Sequence, residues 1–195
     1  MFTTWLRQVF KGIIEPTASL LSRIGLGANA LTIIGCLMNI GVGIVIATGR
    51  LRLGGALLIV ASAFDALDGS LARQIGRPTR FGAFLDSVLD RVSESAILLG
   101  LAVWYMGQPG MIEEILAYIA LVGSMLVSYT RARAEGLQIE CKVGLFTRVE
   151  RCIILIAALL LNLTGPALWI LAVGTVLTTI HRIVHTYLQI KDQPL

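Results

Sequence analysis

Residues 53–90 read LGGALLIVASAFDALDGSLARQIGRPTRFGAFLDSVLD, and this stretch predicts both the fold and the chemistry. The apolar run that opens it matches the roughly 20 residues that a membrane-spanning helix needs. Asp65 and Asp68 lie three residues apart near the end of that run, and Asp86 and Asp90 lie four apart after a Gly-Arg-Pro break. Each pair therefore occupies one helix face. We predict two neighbouring antiparallel helices whose four carboxylates converge at one membrane depth.

The rest of the chain is also strongly apolar. Of its 195 residues, 56% are hydrophobic and 14% are charged, whereas soluble domains carry about 25% charged residues. Apolar runs separated by breaks that contain Gly and Pro predict six transmembrane helices. We predict an all-α integral membrane protein with a single domain over 1–195 and a six-helix bundle over 29–188. The predicted helices span 29–48, 53–73, 81–106, 111–133, 149–164 and 166–188.

The basic residues predict the orientation of the bundle. Most Lys and Arg residues fall on one side, and the other side receives only Arg50 and Arg52. Because cytoplasmic loops are enriched in Lys and Arg, we predict a cell-membrane protein with cytoplasmic N- and C-termini and the aspartates at the cytoplasmic side. Apolar residues at helical spacing predict an amphipathic interfacial helix over 2–23. The net charge of +4 suits anionic headgroups and phosphate substrates better than nucleic acid.

Four carboxylates in one pocket repel each other unless cations neutralise them. Oxygen ligands select hard cations, and sites that also bind substrate phosphates typically use Mg²⁺ or Mn²⁺. The alternative is a set of buried ion pairs with Arg73, Arg91 or another cation, but few arginines lie at that depth. We therefore predict two divalent metal ions per site. The predicted ligands are Asp65, Asp68, Asp86 and Asp90.

These aspartates belong to a longer pattern, Asp65-x2-Asp68-Gly69-x2-Ala72-Arg73-x8-Gly82-x3-Asp86-x3-Asp90. The pattern resembles the signature of the CDP-alcohol phosphotransferases. The resemblance implies that the first three aspartates bind the metals and that Asp90 is the general base, also near the second metal. It also implies which residues bind the CDP-activated lipid. These are Asp68, Gly69, Ala72, Arg73, Thr79 and Gly82, together with Ala28, Asn29, Ala30, Leu31 and Thr32 at the opening of the first segment.

Two basic segments, 128–135 and 148–151, resemble parts of the prokaryotic phosphatidylinositol-phosphate and archaetidylinositol-phosphate synthases of that family. From the residues alone, their arginines are explained more simply as cytoplasmic side chains that obey the orientation rule. The resemblance implies instead that they hold the phosphate of the acceptor. The implied ligands are Ser128, Arg131, Arg133, Arg148 and Arg151.

The resemblance also implies the reaction. The phosphatidyl group of CDP-diacylglycerol, or the corresponding group of CDP-archaeol, passes to the hydroxyl of a polyol phosphate. Asp90 removes the hydroxyl proton, the oxygen attacks the β-phosphorus, and CMP leaves. Inositol phosphate is the leading acceptor and glycerol phosphate the alternative. The family further implies a homodimer.

Acidic residues inside a membrane are also typical of ion-coupled transporters, the first rival from another functional class. A transporter predicts repeats between the two halves of the chain, whereas these aspartates are confined to the second and third segments. An Asp-rich prenyltransferase would need two Asp motifs on distant helices and a longer chain. The sequence therefore favours the transferase.

Overall fold

The computed structural model describes residues 27–74 and 79–191, and for 66–74 it describes the backbone alone. The described part contains six α-helices, in the places that the apolar segments predict, with ends shifted by a few residues at most. The predicted helix over 2–23 lies outside the described residues. The six helices are α1 (Ala28–Ala47), α2 (Leu51–Gln74), α3 (Arg80–Met106), α4 (Ile112–Gly136), α5 (Arg148–Leu161) and α6 (Thr164–Ile190).

The helices pack in a closed ring. α1 packs against α2 and α3, α4 packs against α3 and α6, and α5 closes the ring between α2 and α6. In the described residues α1 is the main packing partner of both α2 and α3, and these two predicted neighbours pack little against each other. The two helices that carry the aspartates are thus held together through a third helix.

Two glycines explain how closely α1 approaches α3. A Cβ placed on Gly43 would meet the carbonyl group of Ala96, and a Cβ placed on Gly100 would meet the carbonyl group of Gly43. Small residues let membrane helices pack backbone against backbone. The close α1–α3 contact follows from these positions, which the spacing of the aspartates alone does not reveal.

Of the six described helices, three are long and apolar enough to cross a membrane, namely α1, α4 and α6. α5 has 14 residues, and at 1.5 Å per residue it extends about 21 Å, less than the roughly 30 Å of a hydrocarbon core. α3 is long enough but carries several charged residues, and part of α2 is described by its backbone alone. Length and composition therefore support a membrane protein and identify three spans.

Apolar side chains cover the outside of the bundle as well as its core. Leu37, Ile44, Val103 and Leu177 are examples of large apolar side chains that lie exposed. A soluble monomer rarely exposes so large an apolar surface, whereas lipid tails favour it. The core contains residues from all six helices, such as Leu58, Leu98 and Leu171. Both observations support a membrane-embedded bundle.

Candidate active site

The candidate site lies where α2, α3 and α5 meet, and its centre is the guanidinium group of Arg148. One terminal nitrogen of Arg148 lies 2.6 Å from Oδ2 of Asp65, and the other lies 2.7 Å from Oδ1 of Asp90. The two carboxylate side chains are only 21% and 19% exposed. A single cation therefore bridges two carboxylates that come from different helices.

Neighbouring residues of α1 and α5 fix the position of Asp65. A Cβ placed on Gly35 of α1 would lie 2.7 Å from Oδ1 of Asp65, so the carboxylate fits against bare backbone. One turn earlier on α2, the hydroxyl of Ser62 lies 3.3 Å from the thiol of Cys152 on α5. Asp65 is thus enclosed between α1 and α5 and has little freedom to move.

The remaining predicted metal ligands are described in part. Asp86 is exposed and lies close enough to Asp65 and Asp90 to interact with them electrostatically. The side chain of Asp68 lies outside the described part. Among the described side chains, no group of three or more His, Cys, Asp or Glu residues has the geometry of a metal site. The donors themselves are all carboxylate oxygens, which suit a hard divalent cation.

The ion-pair alternative is partly realised through Arg148, one of the other cations that it allowed, whereas the side chain of Arg73 lies outside the described part. Arg91 donates to the backbone carbonyl and to the hydroxyl of Ser87 on its own helix. Arg148, predicted as a ligand of the acceptor phosphate, instead contacts Asp65 and Asp90 here. The carboxylates are therefore partly neutralised by a side chain that is itself a predicted substrate ligand.

Residues predicted to bind the CDP moiety come together beside the aspartates. The hydroxyl of Thr79 accepts a hydrogen bond from the backbone N–H of Gly82 at 2.9 Å and so caps the first turn of α3. A Cβ placed on Gly82 would lie 2.9 Å from the side-chain oxygen of Asn29. Leu31 and Thr32 are buried in α1. The start of α1 and the start of α3 therefore adjoin, whereas at Gly69, Ala72 and Arg73 the structure describes the backbone alone.

The other predicted acceptor ligands differ in their surroundings. Arg131 forms an exposed ion pair with Glu135 on α4 at 2.8 Å, and Arg133 is exposed. Ser128 is half-buried one turn before Arg131. Arg151 is 1% exposed, and its guanidinium binds Glu94. Direct contact of these residues with a phosphate stays a prediction.

Two residues of this region have no role in the sequence-based account. Glu94 lies four residues after Asp90, and this continued i,i+4 spacing of acids was a usable signal. Arg182 of α6 is 3% exposed and donates to the backbone carbonyls of Val143 and Val127. A lone arginine within an apolar segment was the signal for it, because buried charges in membrane helices usually have a function.

Comparisons with known proteins agree with this geometry. A family model described as CDP-alcohol phosphatidyltransferase matches residues 26–180. The archaetidylinositol phosphate synthase of Methanothermobacter thermautotrophicus is 39% identical over 191 residues, which cover 95% of this chain and 94% of the relative.

Two crystal structures of the phosphatidylinositol phosphate synthase of Mycobacterium tuberculosis share the fold. The one with CDP-DAG bound gives a TM-score of 0.85 at 32% identity, covering 90% of this chain and 94% of that chain. The one in complex with manganese and citrate gives 0.83 at 31% identity, covering 89% and 88%. The chain therefore belongs to the CDP-alcohol phosphatidyltransferase family and is an enzyme of phospholipid biosynthesis.

Proposed function

We propose that this enzyme transfers the phosphatidyl group of CDP-diacylglycerol, or its counterpart in CDP-archaeol, to the hydroxyl of inositol phosphate. The observation that carries the proposal is the position of Arg148, which reaches from the basic start of α5 to Asp65 and Asp90. An acceptor whose phosphate binds the basic residues would then have its hydroxyl close to the aspartates. The names of the similar synthases from Methanothermobacter and Mycobacterium support the same acceptor.

The proposed metal ligands are Asp65, Asp68, Asp86 and Asp90, which would hold two Mg²⁺ or Mn²⁺ ions. Their oxygen donors fit such ions, and a structural relative was crystallised with manganese. When bound, divalent cations offset the negative charge of a diphosphate and of the leaving CMP. Because Asp65 and Asp90 bind Arg148 here, a cation would compete with that guanidinium for the same oxygens.

Asp90 is the proposed general base. Its carboxylate accepts the proton of the acceptor hydroxyl while the hydroxyl oxygen forms a bond to the β-phosphorus. The bond between that phosphorus and the oxygen of CMP breaks, and CMP carries the electron pair away. A carboxylate that is already bound to cations is a weak base, so the orientation of the two substrates supplies much of the rate.

The proposed CDP site includes the adjoining starts of α1 and α3. Asn29 and Thr79 both lie against Gly82, whose missing side chain lets these two polar groups come close to the backbone of α3. The full proposed set also contains Ala28, Ala30, Leu31, Thr32, Asp68, Gly69, Ala72 and Arg73. The proposed acceptor set is Ser128, Arg131, Arg133, Arg148 and Arg151.

The proposed membrane arrangement has all six helices crossing the bilayer in one domain. In a closed ring, α2 and α3 can turn their charged residues inward, and α5 can be short because α2 and α6 flank it. The aspartates then lie at the cytoplasmic side with both termini, next to the proposed interfacial helix over 2–23. We also propose that the enzyme is a homodimer, as the resemblance to the family implies.

The acceptor is tested by measuring CMP release from CDP-diacylglycerol and from CDP-archaeol, each with inositol phosphate or glycerol phosphate. We expect release with inositol phosphate, because its phosphate pairs with the arginines while its ring presents a hydroxyl to Asp90. Release with glycerol phosphate alone would reassign the acceptor. An absence of release with every pair, under conditions that support a known synthase, would contradict the proposed reaction.

Asp90→Asn tests the general base. We expect turnover to fall by about a hundredfold or more, the lower range for loss of an acid–base group, while binding of CDP-diacylglycerol is retained. Ser95→Ala, on the same helix beyond the site, is the control and should leave both unchanged. Wild-type turnover in Asp90→Asn would remove Asp90 from the mechanism.

Gly35→Ala tests the placement of Asp65. The new methyl group would meet Oδ1 of Asp65, so we expect kcat to fall by roughly tenfold to a hundredfold through misplacement of a reacting group. Gly41→Ala is the matched control, because a Cβ at Gly41 of the same helix has no neighbour within 4 Å. Equal activity of the two variants would show that turnover does not depend on the position of Asp65 against Gly35 of α1.

A further inference from the structure

A second arginine–carboxylate pair lies next to the pair at the aspartates. Nε of Arg151 lies 2.5 Å from Oε1 of Glu94, and a terminal nitrogen lies 2.6 Å from Oε2. The other terminal nitrogen donates to the backbone carbonyl of Phe146 at 2.6 Å. The Arg151 side chain is 1% exposed and that of Glu94 11% exposed. This is a bidentate, buried pair, the strongest geometry available to these two groups.

The two pairs are stacked one helical turn apart. Glu94 follows Asp90 by four residues on α3, and Arg151 follows Arg148 by three residues on α5. Residues at those spacings lie on one helix face, about 5–6 Å apart. The same faces of α3 and α5 are therefore joined twice, once by Arg148 with Asp90 and once by Arg151 with Glu94. A shift of α5 along its axis or about it would break both pairs together.

The start of α5 needs such a restraint. The helix packs mainly on α2 and α6, so its relation to α3 depends on these long side chains. Arg148 is the first residue of α5 and its side chain is 38% exposed. Holding an arginine in one conformation costs side-chain entropy. If the backbone at Arg148 is already fixed, less conformational entropy is lost when its side chain binds the aspartates.

The contact with Phe146 extends the restraint to α6. The backbone N–H of Phe146 donates to the hydroxyl of Thr178 at 3.4 Å. The ring of Phe146 lies against Gly174, where a Cβ would collide with it. Arg151 thus joins α3 to the segment that is anchored on α6. The backbone at Arg148 is therefore restrained from both α3 and α6.

We propose that Glu94 is a positioning residue, which acts through Arg151 to set the start of α5 so that Arg148 reaches Asp65 and Asp90. Glu94 does not touch a reacting atom in this account. The inference rests on the proposed function insofar as Arg148 takes part in the transfer. A buried ion pair is weak evidence for a gain in stability. A role in fixing the position of α5 therefore explains the Arg151–Glu94 pair better than a stabilising role does.

The test separates positioning from stability by kinetics. In Glu94→Gln, we expect the KM for the acceptor phosphate to rise about tenfold or more, as misplacement of a binding group predicts, with the KM for the CDP-lipid unchanged. Glu94→Asp keeps the charge and should recover part of the loss. Tyr105→Phe is the control, because it removes a buried hydrogen bond of 2.8 Å to Thr164 that joins α3 to α6. It should lower the unfolding temperature and leave both KM values unchanged.

The decisive comparison combines Glu94→Gln, and separately the control Tyr105→Phe, with Arg148→Gln in double variants. If Glu94 acts through Arg148, Glu94→Gln should have little further effect on the acceptor KM in that background, since coupled residues are not additive. Additive effects, or a Glu94→Gln enzyme with wild-type KM values and only a lower unfolding temperature, would overturn the proposal. If Glu94→Gln fails to accumulate, Glu94→Asp takes its place, because it keeps the charge but shortens the side chain that reaches Arg151.

The choice of acceptor does not decide this outcome. If the wild-type enzyme uses glycerol phosphate in place of inositol phosphate, the proposed acceptor fails and the same KM comparison is made with glycerol phosphate. If the wild-type enzyme binds both substrates without releasing CMP, the proposed reaction fails. The acceptor dissociation constant then replaces KM in the comparison of Glu94→Gln with Tyr105→Phe.

Discussion

The bridge from Arg148 to Asp65 and Asp90 is the interaction on which the rest of the site depends. Two carboxylates from different helices lie mostly buried, and like charges in such surroundings repel unless a cation joins them. The bridge brings the start of α5 to the acidic ends of α2 and α3. Removing the arginine would leave two mostly buried carboxylates without a neutralising charge, which destabilises their arrangement. Charge balance therefore links the three helices.

The ring of helices makes that convergence possible. α1 separates α2 from α3 as their main packing partner, and its glycines let both approach closely. Gly35 admits the carboxylate of Asp65, and Gly43 admits the backbone of α3. Bulky residues at these positions would push the aspartates apart. A helix without acidic residues thus sets the distance between the acids.

The sequence predicted the helices and the family well, because both follow from local patterns. Apolar runs and their breaks gave six helices in the right places, and the aspartate pattern identified the family. The partners of Arg148 and Arg151 were not predicted, since they lie 57 or more residues away and no local spacing encodes such contacts. The small extent of the direct α2–α3 contact was not predicted for the same reason. Chain proximity was taken for spatial proximity, whereas backbone contact at Gly43 placed α1 between them.

Manganese binding tests the central claim most directly, namely that Asp65 and Asp90 belong to one site whose negative charge a divalent cation can neutralise. Binding to the detergent-purified enzyme is followed by the loss of the free Mn²⁺ signal in electron paramagnetic resonance. We expect Mg²⁺ to compete, and Asp65→Asn to weaken binding about tenfold or more, as changes at metal sites do. Glu140→Gln should bind as the wild type does, because Glu140 is an exposed acid paired with Lys142. Equal Mn²⁺ affinity in Asp65→Asn and the wild type would contradict the account.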